Sequence, residues 1–126
     1  MTHIIPGHPI GKPRMTRRDK WKKRPCVLKY RAWCDIARKA IIGNYTEKLN
    51  RDECSVEIKA YFQVSDSWSK KKKASMENKP HCQKPDIDNV VKGVLDALLE
   101  EDKGVYEVYA VKYWTLREPR VEVWFR

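Results

Sequence analysis

Apolar residues recur along this chain with two different periods. At residues 28–42 they return every three or four positions, which predicts an amphipathic helix. Its expected buried face, with Trp33 at the edge, consists of Leu28, Ala32, Ile36, Ala37, Ala40 and Ile41. At residues 54–64 apolar and polar side chains alternate, which predicts a half-buried strand with Val56, Ile58, Ala60, Phe62 and Val64 inside. Residues 87–100 give the clearest helix, with an apolar face of Ile87, Val90, Val91, Val94, Leu95, Leu98 and Leu99.

Shorter runs complete the predicted fold. Strands are expected near residues 3–6, 105–114 and 120–126, with 117–119 as the turn between the last two. Segment 7–25 is interpreted as an extended basic arm, and segment 65–85 as a basic loop with room for a helical turn. The order β-α-β-α-β-β predicts one α+β domain over residues 1–126, in which two main helices cover a mixed sheet in two layers.

The charge of the chain favours a polyanionic partner. Its 27 Lys and Arg residues and 17 Asp and Glu residues give a net charge of +10, which is typical of nucleic-acid-binding proteins of this size. An anionic membrane surface is the alternative partner. No stretch approaches the roughly 18 apolar residues of a membrane span. The N-terminus also lacks the pattern of a signal peptide, so we expect a cytoplasmic protein.

Two groups of cations are the candidate DNA-binding residues. In the arm they are Lys12, Arg14, Arg17, Arg18, Lys20, Lys22, Lys23 and Arg24, and in the loop they are the lysines of residues 70–73, including Lys71 and Lys72. We expect them to hold phosphates without reading sequence. Trp21 and Trp68 lie beside them and are candidates for stacking on unpaired bases. The alternative is that both segments are solvated loops that only aid solubility.

Other conspicuous side chains have structural interpretations. Trp33, Trp114 and Trp124 fall at helix or strand positions and are assigned to the core or to an interface. The four cysteines lack the C-x-x-C spacing and are interpreted as free thiols, mostly packing groups. The histidines, including His81, are expected at the surface, and Lys112 is interpreted as structural or phosphate-facing.

The candidate chemistry lies where the second main helix begins. Asp86 and Asp88 are two positions apart at its expected N-terminus, and Asp88, Lys92 and Asp96 form a polar stripe at intervals of four. The two carboxylates can reach one Mg²⁺ ion, which prefers such oxygens and can activate water for attack on a phosphodiester. Lys92 adds positive charge where negative charge develops. Two Asp residues at a helix N-terminus are also typical caps, and this is the competing interpretation.

The pattern Asp86-x-Asp88-Asn89-x-x-Lys92, then Asp96-Ala97-Leu98, then the acidic pair Glu101-Asp102 before a strand that ends at Lys112, resembles the RusA family of Holliday-junction resolvases. Residues 7–14 are similar to the opening of phage-encoded members. The resemblance implies a homodimeric endonuclease that needs Mg²⁺, with Mn²⁺ as an alternative. Such an enzyme resolves four-way DNA junctions by paired symmetric nicks in recombination and repair.

The resemblance also implies residue roles. Asp86, Asp88 and Asp102 would be the catalytic and metal-binding carboxylates, and Lys92 the catalytic lysine. The chain departs from the family pattern at two places. Its acidic pair is Glu-Asp where Asp-Asp is common, and Gly104 stands where a Gln is usual. Glu101 is therefore the alternative third carboxylate.

The spacing of these carboxylates raises a geometric difficulty. A straight helix over residues 88–100 is roughly 20 Å long, with Asp86 and Asp88 at one end and Asp102 beyond the other. Either the chain doubles back, or a second subunit supplies Asp102. We hypothesise that a symmetric dimer shares its sites in this way, because its two-fold axis also suits the two equivalent strands of a four-way junction.

Two other functions remain open at this point. The first is a non-catalytic module that binds DNA or RNA, in which Asp86 and Asp88 cap the helix and pair with Lys92. The second is a nuclease that acts on another branched substrate or on RNA. Metal-dependent cleavage separates the enzymes from the module, and a panel of substrates separates the two enzymes.

Overall fold

The computed structural model describes residues 3–20 and 24–126, with residues 19 and 20 described by their backbone alone. In these ranges the strands are β1 (His3–Pro6), β2 (Cys54–Gln63), β3 (Val105–Thr115) and β4 (Arg120–Phe125). The α-helices are α1 (Pro25–Ile41), α2 (Lys70–Met76) and α3 (Ile87–Leu98). A short 3₁₀ helix, Arg17–Lys20, lies in the arm. The predicted α+β fold is confirmed, with α2 as an additional helix inside the 65–85 segment.

One mixed sheet in the order β1-β4-β2-β3 forms the first layer. β4 pairs antiparallel with β1 and β2, whereas β2 and β3 run parallel. Parallel neighbours need a crossover connection, and the segment with α2 and α3 supplies it. β2 lies between β3 and β4, so residues 116–119 cross over β2 and do not close a hairpin. β3 consequently forms one edge of the sheet.

The core lies between this sheet and the helices that cover one of its faces. The residues of β2 that were predicted to point inward, together with Val64, are all buried. They share one apolar cluster with Val90 and Val94 of α3 and with Tyr30 and Trp33 of α1. Burial of an aliphatic side chain of this size contributes about 1.5–3 kcal/mol. The central position of β2 therefore explains its clear alternation.

α1 begins earlier and buries a different face than the sequence predicted. It starts at Pro25, whose fixed φ suits the first helical position. Its buried residues are Val27, Tyr30, Trp33, Cys34 and Ala37. Leu28 and Ile36 remain 44% and 45% exposed, and Ala32 and Ala40 are exposed as well, so the predicted face was wrong at these four positions. The buried stripe is rotated because α1 packs against both β1 and α3, where the Tyr30 hydroxyl donates to the Gly93 carbonyl at 2.9 Å.

α3 agrees with its prediction except at its first residue, Ile87, which is 40% exposed, and it positions the candidate site. Its buried residues are Val90, Gly93, Val94, Leu95, Ala97 and Leu98. Asp88 and Lys92 lie on the opposite, exposed side. The cysteines are free, as predicted, with Cys34 and Cys54 buried and Cys26 and Cys82 exposed. Within the described ranges, no helix has the length and apolar character that crossing a membrane requires.

Candidate active site

Asp86 and Asp88 lie at the first turn of α3. Asp86 occupies the N-cap position with an extended backbone, yet its side chain makes no capping hydrogen bond. Asp88 follows in the first helical turn. Both side chains are exposed and have no ion-pair or hydrogen-bond partner among the described residues. A capping side chain typically stabilises a helix by about 1 kcal/mol. These carboxylates do not supply that contact, so both are available to a ligand.

The basic arm packs directly on the start of α3. The Lys12 amide donates to the Asn89 carbonyl at 3.0 Å. A β-carbon at Gly11 would lie 2.7 Å from the Cβ of Pro85, which is too close for any residue larger than glycine. The arm is thereby held beside Asp86.

A groove runs between the arm and the first two turns of α3. Two adjoining cavities of about 610 and 430 Å³ share Lys12 and Asn89 in their walls. We call the two together the arm groove. Among the described residues, its charged side chains are one carboxylate, Asp86, and the cations Lys12, Arg14, Lys84 and Lys92. A groove with this excess of cations suits a phosphate backbone.

The polar stripe of α3 is present, but its charges are paired differently than expected. Asp96 forms an ion pair with Lys12 of the arm, at an Nζ–Oδ2 distance of 2.5 Å. Lys92 is exposed and forms no salt bridge with Asp88 or Asp96 among the described residues. The interpretation of Asp86 and Asp88 as helix caps paired with Lys92 therefore lacks the contacts that it requires.

Lys112 approaches the same end of α3 from the sheet. It pairs in register with the buried Ala60, on the face of β3 that lies toward the helices. Its Nζ donates to the carbonyl oxygens of Gln83 and Pro85, both at 2.7 Å. The sequence left Lys112 between a structural and a phosphate-facing role. A lysine at an inward position of a strand was the signal for a specific contact.

His81 was expected at the surface, and this prediction was wrong. Its residue surface is 5% exposed, and its ring lies 3.9 Å from the Phe62 ring and 4.4 Å from the Trp114 ring, between centroids. The His81 amide donates to the Lys112 carbonyl at 3.0 Å. Burial, with a smaller contribution from the charge of Lys112, lowers the pKa of His81 to about 4. A neutral His81 therefore anchors the chain that leads toward Asp86.

Comparison with known proteins shows the family to which the chain belongs. The profile of the family described as "Endodeoxyribonuclease RusA" matches residues 6–126. The chain belongs to the RusA family. "Uncharacterized protein YqaN" of Bacillus subtilis (strain 168) is 40% identical over 80 residues, which cover 57% of this chain and 56% of YqaN. The chain thus spans little more than half the length of that relative.

The carboxylates of the RusA pattern lie at opposite ends of α3. The 12 residues of this helix span about 18 Å. β3 gives a second measure of the separation of Asp86 and Asp102. The Val105 amide at the start of the strand donates to the Asp102 carbonyl, whereas Lys112 near its end contacts Pro85, which precedes Asp86. The seven strand positions from Val105 to Lys112 span about 23 Å. Among the side chains that the structure describes, no three of His, Cys, Asp or Glu gather as a metal site. The chain by itself therefore has Asp86 and Asp88 at the start of α3 and Asp102 beyond its end.

The structure shows the contacts at the two places where the chain departs from the RusA pattern. Glu101 pairs with Lys103 at 3.1 Å, whereas the Asp102 side chain has no partner among the described residues. At Gly104, an added β-carbon would collide with the Arg51 carbonyl oxygen and lie 2.7 Å from that of Asp52. The neighbouring backbone thus excludes the Gln that is usual in the family.

The remaining residues that were predicted to contact DNA differ in solvent exposure and in the contacts that they make. Arg14, Arg17 and Arg18 are exposed in the arm. In α2, Lys71 is exposed, while Lys72 lies over the Trp68 ring at 4.4 Å. Trp68 itself packs edge-on against Trp114, with ring centroids 4.9 Å apart, and is a packing group more than an open stacking platform. The predicted contacts Lys22 and Lys23, with Trp21, lie outside the described residues, and of Lys20 only the backbone is described.

Proposed function

We propose that this chain is a metal-dependent, structure-specific endodeoxyribonuclease of the cytoplasm that resolves four-way DNA junctions by paired symmetric nicks in recombination and repair. One observation carries the proposal. Asp86 lines the cationic arm groove and Asp88 follows two positions on, yet both side chains are exposed and, among the described residues, serve neither as caps nor as ion-pair partners. Carboxylates in a phosphate-binding surface repel the substrate unless a cation joins them. A divalent metal is the cation that fits both the carboxylates and a phosphodiester.

The donor set fits Mg²⁺, and Mn²⁺ as an alternative. Mg²⁺ is commonly held by one or two carboxylates and substrate phosphates while it keeps several waters. Asp86 and Asp88 supply two such carboxylates from the start of one helix. When bound, the ion neutralises phosphate charge and lowers the pKa of a water so that it can attack.

The other residues of the arm groove have roles that follow from their charge. Lys92 lies one helical turn beyond Asp88 and forms no ion pair among the described residues, and its ammonium stabilises the negative charge that develops on the phosphodiester. Arg14 and Lys84 line the two cavities on either side of Asn89 and bind the flanking phosphates. The exposed Arg17, Arg18 and Lys71 extend this contact without reading sequence.

We further propose that the chain is a homodimer in which Asp102 completes the site of the second subunit. β3 lies at the edge of the sheet. Among the described residues its free side is paired only near its end, where Pro80 bridges to Tyr113. Residues 105–111 therefore present backbone groups that favour the addition of another strand.

Antiparallel pairing of two β3 strands about a two-fold axis near Val108 would set the start of one strand beside the Lys112 end of the other. Asp102 lies three positions before that start, and Lys112 contacts the segment before Asp86. The pairing brings the partner's Asp102, or its Glu101, toward Asp86. It also yields two equivalent sites for the two equivalent strands of a junction.

The decisive experiment uses a labelled four-way junction and a matched linear duplex, each with Mg²⁺ or EDTA. We expect paired symmetric nicks on the junction alone, and none in EDTA. Asp88→Asn should abolish the nicks while junction binding persists. Asp66→Asn is the matched control, because Asp66 is exposed but belongs neither to the start of α3 nor to the arm groove, and it should nick like the wild type.

Two other outcomes would select the competing functions. Tight, salt-sensitive binding with no cleavage in Mg²⁺ or Mn²⁺ would indicate a non-catalytic DNA- or RNA-binding module. Cleavage of flaps or RNA, with intact junctions, would indicate a nuclease of another substrate.

A further inference from the structure

Lys112 is tied to the segment that leads into Asp86. Its Nζ donates to the carbonyl oxygens of Gln83 and Pro85, each at 2.7 Å. No carboxylate among the described residues forms an ion pair with Lys112. Its ammonium is thus directed to main-chain carbonyls, unlike that of Lys12, which is neutralised by Asp96.

The segment of residues 82–85, which leads into α3, has few other hydrogen bonds among the described residues. Residues 79–81 are fixed to the edge of β3, because the His81 amide donates to Lys112 and the Trp114 amide donates to Lys79. From there to the first turn of α3, the described hydrogen bonds are the two from Lys112 and a long contact from the Cys82 thiol to the Pro80 carbonyl, at 3.9 Å. Lys112 therefore supplies most of the described hydrogen bonds that fix the chain where it enters α3.

We propose that Lys112 is a positioning residue for the metal-binding carboxylate of Asp86, an inference that rests on the proposed function. The Pro85 carbonyl belongs to the peptide group that carries the Asp86 amide. A fixed Pro85 oxygen fixes this peptide plane, and the plane positions the backbone from which the Asp86 side chain extends. The support is rigid, because Lys112 lies inside a strand whose neighbour in register is buried.

Removal of such a support is expected to weaken the metal site. Groups that orient metal ligands typically change metal affinity about 10- to 100-fold when they are removed. Lys112→Met keeps the apolar stem and removes the donors. Lys112→Arg keeps donors that can reach both carbonyls. Lys59→Met is the matched control, since Lys59 lies on the neighbouring strand β2 at an outward position over the Trp124 ring.

The test measures Mn²⁺ affinity in the full chain from the broadening of the Asp86 and Asp88 amide resonances, beside junction nicking against Mg²⁺ concentration. We expect Lys112→Met to bind Mn²⁺ about 10-fold more weakly or worse, and to need correspondingly more Mg²⁺. Lys112→Arg and Lys59→Met should stay within about 3-fold of the wild type by the same criterion. Junction affinity in EDTA should be unchanged in all of them.

The outcomes separate this inference from the proposed function. Lys112-dependent Mn²⁺ binding without junction cleavage would overturn the nuclease and leave the positioning role. Cleavage by the wild type, with unchanged metal dependence in Lys112→Met, would overturn the positioning role, as would lost junction affinity with normal Mn²⁺ binding. If Lys112→Met does not fold, Lys112→Gln replaces it. Equal Mn²⁺ affinities of the Gln and Arg variants would then contradict the inference.

Discussion

Lys12 of the arm and Asp96 of α3 form an ion pair with an Nζ–Oδ2 distance of 2.5 Å, although they are 84 positions apart in the chain. The pair joins the arm to α3 one turn beyond Lys92. Both side chains are partly buried, so the contact is screened less than a surface pair. Its main consequence concerns charge, because the ammonium of Lys12 is already balanced before DNA arrives.

This pairing makes Lys12 a weaker phosphate contact than its position in the basic arm suggests. We expect Arg17→Met to reduce the slope of log Kd against log salt concentration by about 1 for a four-way junction, and Lys12→Met to reduce it by much less. Asp96→Asn should increase the slope, because it releases the Lys12 charge. Binding titrations over a range of salt concentrations measure all three slopes. An equal loss in the Lys12 and Arg17 variants would show that DNA displaces Asp96 from Lys12.

Mixing two inactive proteins tests whether Asp102 acts across a dimer. If each site takes Asp88 from one subunit and Asp102 from the other, a mixed dimer of Asp88→Asn and Asp102→Asn subunits retains one intact site. Random re-pairing should then restore about a quarter of the sites, seen as single nicks on a junction. A site built within one subunit predicts no recovery. Mixed Asp86→Asn and Asp88→Asn subunits are the control, because their defects fall on the same half of the site.

Gly104 is expected to tolerate no side chain, because the carbonyl oxygens of Arg51 and Asp52 occupy the space that a β-carbon needs. Gly104→Gln, which restores the residue usual in the family, should reduce the free energy of unfolding by about 3 kcal/mol. Gly43→Asn is the control. Gly43 has a φ of +84° with open space around it, and Asn accepts that conformation at little cost. Urea denaturation compares the two, and equal midpoints would contradict the close approach at Gly104.

The sequence predicted those elements whose burial depends on local periodicity. β2 lies in the middle of the sheet, so its alternation translates directly into buried and exposed positions. α3 has a wide apolar face against the core and was equally clear. The buried face of α1 was predicted wrongly because the helix packs against two elements, so that Tyr30 and Cys34 turn inward while Leu28 and Ile36 remain exposed. Trp33 is buried, in agreement with its assignment to the core.

In the candidate site, too, the sequence predicted the local relationships and missed the contacts between distant segments. Asp86, Asp88 and Lys92 lie within two turns of one helix, so their spacing in sequence fixes their proximity. The bond from Lys112 to Pro85 spans 27 positions, and the pair of Lys12 with Asp96 spans 84. Such contacts follow from the crossover of the chain and the docking of the arm. Periodicity does not encode them.

His81 gives the stability of the protein a pH dependence whose sign follows from its burial. Its pKa is lowered from 6.5 to about 4, because burial disfavours the charged ring. Between these values the unfolded chain binds a proton that the native state does not. The contribution of a neutral His81 is therefore complete above pH 6.5 and is lost as the pH falls toward about 4.

His81→Phe isolates this contribution, because a Phe ring can also pack between Phe62 and Trp114 but cannot titrate. The His81 Nδ1 has no hydrogen-bond partner among the described residues, so the replacement breaks no bond at that atom. We expect the variant to lose less stability than the wild type as the pH decreases from 6.5 to about 4. Urea denaturation across this range measures both proteins, and carboxylate titration, which is common to them, cancels in the difference. Parallel pH profiles would mean that His81 has the pKa of an exposed histidine and that its burial between the two rings is not maintained in solution.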